Sequence, residues 1–270
     1  MLTVVKKDNW MESKVLNINA SNNSGVRSNV AYGNIMDQKR YIYALNFIVG
    51  KDVLDCACGV GWGTFLLANG GAKSVVGVDL SPNAIATARV FYSADNTKFI
   101  QGVLGEINLR ANFDVITSFE TLEHVDEPIA FLKSLRKYLK PDGLLMLTTP
   151  NSYCFKYARD KPYNPYHLDE FTKDELLQML KEAGWVVDKY LGQHPIHAGS
   201  KEILEYRNFI RRYWRSTKLA GKYGIFYRIL NRIYLQFTGL RNIDPAHKGD
   251  CNPMIISEGF EPACHFIIAR

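Results

Sequence analysis

No stretch of the chain approaches the roughly 20 consecutive apolar residues that a membrane-spanning helix requires, so a spanning segment is not expected. The first fourteen residues, MLTVVKKDNWMESK, lack a continuous apolar core behind their basic residues, which speaks against a secretory leader. Cysteine is scarce: five in 270 residues, an odd number without a paired framework. That excludes a disulfide-stapled scaffold and fits a reducing cytoplasm. Cys56 and Cys58 stand one residue apart, but no second pair follows at zinc spacing, which favours two small packed side chains over a metal centre. Internal repeats and low-complexity tracts are also missing. What is present is an ordinary globular composition, 47% apolar with a mean hydropathy of -0.16. That is enough for one catalytic domain with an elaboration.

The net charge of +6 is unevenly distributed. Between Lys201 and Arg241 ten basic residues face only Glu202 and Glu205, so this segment carries +8 and the remainder -2. Aromatic residues interleave with the arginines there, among them Tyr206, Trp214, Tyr227 and Phe237. A lid over the acceptor, a face for phosphate, an interfacial membrane helix and a surface for single-stranded RNA are the functional readings. A helical cap with merely solvated arginines is the plain one.

Strand and helix patterns alternate along the first two thirds. Helical spacing covers 36–49, strands are expected at 52–57, 74–79, 99–102, 113–118 and 144–149, and helices at 60–70, from Ser81-Pro82, and over 128–139. Lys140-Pro141-Asp142-Gly143 reads as a turn. A helix over 171–183 and a strand at 185–190 follow, and 264–269 is the remaining strand candidate. Such alternation implies a doubly wound parallel sheet whose function sits at the strands' C-terminal edge. The expected organisation is an N-terminal arm (1–35), a core (36–193), a helical basic and aromatic insertion (194–260) and a last core strand (261–270).

The run Val53-Leu54-Asp55-Cys56-Ala57-Cys58-Gly59-Val60-Gly61-Trp62-Gly63 reads as a buried strand breaking into a glycine turn that opens a helix. There the backbone can approach a nucleotide-like ligand and offer free N–H donors. Val75-Val76-Gly77-Val78-Asp79 ends in an acid placed to grip a ribose diol. The glycines follow G-x-G-x-G, not the dinucleotide G-x-G-x-x-G, since position 64 is Thr64. With Asp55 ahead of them, the pattern resembles the class I S-adenosylmethionine (SAM)-dependent methyltransferases. The resemblance implies a Rossmann-like α/β sandwich of seven strands, the last one antiparallel, here with an insertion before it. It also implies SAM binding by Asp55, Cys56, Ala57, Gly59, Gly61, Asp79, Leu80, Val103, Leu104 and Ser118, with Glu106 as a further candidate.

Phe113 to Val125, Thr149-Pro150-Asn151 and Asn164-Pro165-Tyr166-His167-Leu168-Asp169-Glu170-Phe171-Thr172 extend the likeness, over roughly 27–192, to methyltransferases of bacterial glycan and O-antigen synthesis. Arg40-Tyr41 resembles an Arg-Tyr pair of the same group. Glu120, Glu123 and His124 can be aimed at one point by a single turn after the fourth strand, with His167 on the same sheet edge. Two carboxylates and two imidazoles make a plausible site for Mg²⁺ or Mn²⁺. The set is similar to the ExxEH plus distal His site of the small-RNA 3′-terminal 2′-O-methyltransferases. Without a metal, His124 or His167 becomes the general base, and Glu123 a cofactor contact or cap.

The expected activity is therefore SAM-dependent O-methylation of a carbohydrate hydroxyl on a sugar, nucleotide-sugar or glycan. RNA 2′-O-methylation and methylation of a quinone-like phenol are the enzymatic alternatives, and a SAM-fold scaffold subunit is the non-enzymatic one. Nucleic acid is not the favoured partner. The expected location is cytoplasmic, at the inner membrane face if the insertion makes a peripheral contact.

Overall fold

A computed structural model describes residues 35–109, 112–152, 166–197, 253–255 and 260–270. The elements in chain order are α1 (Ile35–Ile48), β1 (Asp52–Cys56), α2 (Trp62–Asn69), β2 (Ser74–Asp79), α3 (Pro82–Phe91), β3 (Thr97–Gln101), β4 (Phe113–Phe119), α4 (Pro128–Leu135), β5 (Leu139–Pro150), α5 (Lys173–Glu182), β6 (Val187–His197) and β7 (Phe260–Ala269). They build a seven-stranded sheet of order β3-β2-β1-β4-β5-β7-β6, parallel except for β7, which runs antiparallel to both neighbours. The chain winds outward from β1 to β3, then returns to place β4 on the other side of β1. The C-terminal ends of β1 and β4 therefore flank a topological switch point, where a crevice opens.

Alternation along the strands sends side chains to two cores. Leu54, Ile116, Leu145, Leu147 and Ile267 pack on one face of the sheet. Val53, Val115, Met146, Phe266 and Ile268 pack on the other, beneath α1 and α2. Near-continuous apolar strand sequences are what a sheet covered on both faces requires.

Several boundaries differ from expectation. The second helix starts at Trp62, not residue 60, because Gly61 adopts φ 89° before the helix can begin. The expected turn at Lys140–Gly143 is absorbed into β5 as an irregularity: Phe113 pairs with Leu139, but Val115 pairs with Leu144. Lys140 Nζ, held by Asp114 at 2.9 Å and Asp52 at 3.3 Å, pins that excursion. The last two strands are longer than the sequence pattern showed: β6 runs to His197, past the expected core boundary at 193, and β7 starts at Phe260. Their pairing extends to His197↔Phe260. Apart from 194–197 and 253–255, where Met254 pairs with Gly192, the insertion lies outside the described residues up to β7. So do the expected arm, except Ile35, and Asn164 and Pro165. Among the described residues no helix is long and apolar enough to cross a membrane.

Candidate functional site

The glycine turn joins β1 to α2 over a buried acid. Asp55 is fully buried, and its carboxylate accepts hydrogen bonds from Thr64 Oγ1 and Thr117 Oγ1 at 2.7 Å each and from Tyr41 at 3.1 Å. Burial pushes it up to about 6 against the pull of those hydrogen bonds. Above it the backbone turns through positive φ at Ala57, Gly59 and Gly61. A Cβ at Gly61 would stand 2.6 Å from Ala88 Cβ, and one at Gly63 would enter the Tyr41 ring. Glycine at these positions lets α2 lie close on α3 and α1.

Asp79, at the end of β2, bridges the turn and the next helix. Its carboxylate accepts the Gly59 and Ser81 N–H groups, each at 2.8 Å. It opens onto a cavity of about 750 Å³, also lined by Ala57, Leu80, Val103, Leu104 and Glu106. A smaller cavity of about 430 Å³ adjoins it, sharing Ala57 and His124 and including Gly59, Glu123 and His167. Gly61 supports the turn by its conformation and lines neither cavity. Asp55, Cys56 and Ser118 are buried and line neither cavity.

The smaller cavity is framed by two segments zipped together. The Glu123 carbonyl accepts from Leu168 N–H at 2.8 Å and more weakly from Asp169 N–H at 3.4 Å. His124 Nδ1 bonds the Tyr166 carbonyl at 2.9 Å, so it carries the proton and its lone pair is on Nε2. His167 Nδ1 meets Glu170 Oε1 at 2.7 Å. The two imidazoles sit edge to face, 4.9 Å between centroids. Glu123 is 1% exposed: Oε2 accepts from Thr149 Oγ1 at 2.9 Å, while Oε1 has no hydrogen-bond partner among the described residues. Burial, reinforced by Glu120, pushes the Glu123 acid well above its ordinary range. One donor atom each from Glu123, His124 and His167 lie within 4.8 Å of one another.

Glu120 lines the same cavity but does not belong to that group of three donors. Its backbone is left-handed, φ 50°, and its carboxylate pairs with Arg40 Nη1 at 2.9 Å. Thr148 Oγ1 at 3.1 Å and Cys264 Sγ at 3.2 Å also reach Glu120 Oε1. Arg40 is 1% exposed, and a buried guanidinium needs a carboxylate more than an adjacent site does. Glu170 and Thr149 stand in motifs of the sequence without a role there, and Thr148 stands only in a strand pattern. The two threonines could have been given one, since they close β5 at the sheet edge where function gathers.

Two buried groups give the fold opposing pH responses. Asp55, raised from 3.8 to about 6, contributes stability that is complete below 3.8 and lost as pH rises through 6. His265, lowered by burial from 6.5 to about 4, contributes stability present above 6.5 and lost as pH falls through 4. Each is worth on the order of 3 kcal/mol. Thermal melts at pH 4 and pH 7 should therefore show Asp55→Asn gaining on the parent as pH rises and His265→Asn losing. Parallel shifts in both would contradict the assignment.

Comparisons with known proteins bear on the family and the fold. A family model described as a methyltransferase domain matches residues 33–190. A probable S-adenosylmethionine-dependent methyltransferase of Mycolicibacterium smegmatis is 35% identical over 144 residues, 53% of this chain and 55% of that protein. The mitochondrial ubiquinone biosynthesis O-methyltransferase of Schizosaccharomyces pombe is 34% identical over 54% of this chain and 59% of its own. The chain thus spans little more than half the length of these relatives. Among solved structures, a methyltransferase of Bacillus halodurans superposes with a TM-score of 0.54 at 18% identity, covering 88% of this chain and 99% of that one. At that identity the likeness concerns the fold alone.

Proposed function

The chain belongs to the class I S-adenosylmethionine-dependent methyltransferase family, and from that premise we propose that it methylates a hydroxyl of a carbohydrate acceptor with help from a divalent cation. The observation that carries the finer reading is the orphaned, buried Oε1 of Glu123 beside two imidazoles. A carboxylate oxygen left without a hydrogen bond is expensive unless a cation completes it.

The cofactor fits the larger cavity. Asp79 suits the ribose hydroxyls, Leu80 and Leu104 suit flat contact with the base, and the turn at Gly59 leaves room for the methionine end. Bound SAM supplies a methyl group on a sulfonium. Glu123, His124 and His167 would hold Mg²⁺ or Mn²⁺, a donor set both ions accept. A divalent cation supplies Lewis acidity, which makes a hydroxyl easier to ionise. An acceptor hydroxyl held in the smaller cavity would take up that methyl group, forming a C–O bond in exchange for the S–C bond. With both imidazoles holding the cation, the hydroxyl proton would go to solvent water, and the sulfur would depart as a neutral thioether. Adjacent sugar hydroxyls suit this site because two oxygens can fix which one attacks. The +8 of residues 201–241 supports an acceptor that also carries phosphate.

The likeness to a ubiquinone biosynthesis O-methyltransferase favours a second reading, a quinone-like phenol methylated with a histidine base alone. Electron paramagnetic resonance of Mn²⁺ with S-adenosylhomocysteine present separates the two. One ion per chain is expected, with Kd raised at least about tenfold in Glu123→Gln and in His167→Ala. Wild-type protein that binds no Mn²⁺ would remove the cation and leave His167 or His124 as the base.

A further inference from the structure

We infer that Glu170 is a positioning residue that fixes which nitrogen of His167 carries its proton. This rests on the reading of His167 as a donor in the smaller cavity. Free imidazole protonates at either nitrogen, and its ring can turn about χ2, so a site needing a lone pair at one atom must remove both freedoms. A carboxylate on the opposite nitrogen does so: Nδ1–H donates to Glu170 Oε1 at 2.7 Å, which puts the lone pair on Nε2.

The chain anchors Glu170 unusually firmly. The side chain is 1% exposed and Oε2 has no hydrogen-bond partner among the described residues, so Oε1 makes its side-chain hydrogen bond, to His167. Its own N–H is held by Asp169 Oδ1 at 2.8 Å. The next residue, Phe171, is buried. Its carbonyl accepts from Ser152 N–H at 3.0 Å and from His265 Nε2 at 2.9 Å. Then Thr172 and Glu175 close a capping box that starts α5. Glu170 is thereby tied to β7 and α5 on one side and touches His167 on the other. The rigidity of the sheet reaches the imidazole through one carboxylate. His124 shows the same arrangement with a carbonyl, that of Tyr166, in the carboxylate's place.

The test is ¹⁵N-histidine NMR of the full chain, the His167 signals being assigned by their loss in His167→Ala, together with Mn²⁺ titration. Wild type should show a protonated Nδ1 and an unprotonated Nε2. Glu170→Ala should scramble the tautomer and raise the Mn²⁺ Kd about tenfold to 100-fold. Glu170→Gln, which is isosteric and keeps an acceptor, should retain the tautomer with a smaller loss. A wild-type His167 protonated at Nε2 overturns the inference, as does an unchanged tautomer in Glu170→Ala. If wild type binds no Mn²⁺, the cation reading fails by itself, and scrambling in Glu170→Ala still supports the positioning role.

Discussion

Replacing Asp79 with alanine is expected to weaken S-adenosylhomocysteine binding about 1,000-fold, measured by calorimetry. Two losses combine. An ionised carboxylate has roughly four lone-pair positions. Gly59 N–H and Ser81 N–H take one each, which leaves two facing the larger cavity for a ribose diol. Hydrogen bonds to a charged group are worth about 1.5–3 kcal/mol apiece, so losing two accounts for most of the effect. The remainder comes from releasing Gly59, whose left-handed turn is tied down by the same carboxylate. Asp79→Asn, which keeps one oxygen acceptor and the shape, should fall between the two. Affinity within threefold of wild type in Asp79→Ala, with an unchanged melting temperature, would take Asp79 out of the cofactor site.

What could be read from the sequence is what short-range physics encodes. The β1–glycine–α2 run, the acid ending β2 and the strand at the end of the chain were legible, because apolar runs, glycine spacing and a terminal acid are local signals; that β7 runs antiparallel followed only from the family resemblance. Asp55 was legible as important but not in its role. Only the fold shows Tyr41, Thr64 and Thr117 closing around it from α1, α2 and β4. Glu120, Glu123 and His124 looked equivalent because spacing cannot reveal a left-handed backbone at Glu120. Nor can it reveal a buried Arg40 eighty residues upstream in the same cavity wall. Glu170 had no role in the sequence reading because its neighbour Phe171 is anchored from β7, nearly a hundred residues further on.

The Arg40–Glu120 pair yields the second large effect, one that spans stability and the smaller cavity. Arg40 is buried, and Asp37 at 3.4 Å and Glu120 at 2.9 Å surround its guanidinium. Burial alone would lower its pKa, but Glu120 and the other neighbouring groups together outweigh burial and raise it. Breaking a buried pair by removing one partner typically costs about 3–5 kcal/mol. Glu120 is 34% exposed, so Arg40→Met should lose about 3 kcal/mol, read as a lower urea midpoint at unchanged slope. The double variant Arg40→Met/Glu120→Gln should recover a large part, because it no longer leaves a carboxylate without its counter-charge. Arg40 also favours the ionised form of Glu123, whose acid is held high by burial and by Glu120. Arg40→Met should therefore weaken Mn²⁺ binding at neutral pH, and the added Glu120→Gln should restore it by removing the like charge. A single variant within about 0.5 kcal/mol of wild type would mean that the guanidinium balances its own desolvation without stabilising the fold. Mn²⁺ affinity indifferent to both substitutions would sever Glu123 from this charge network.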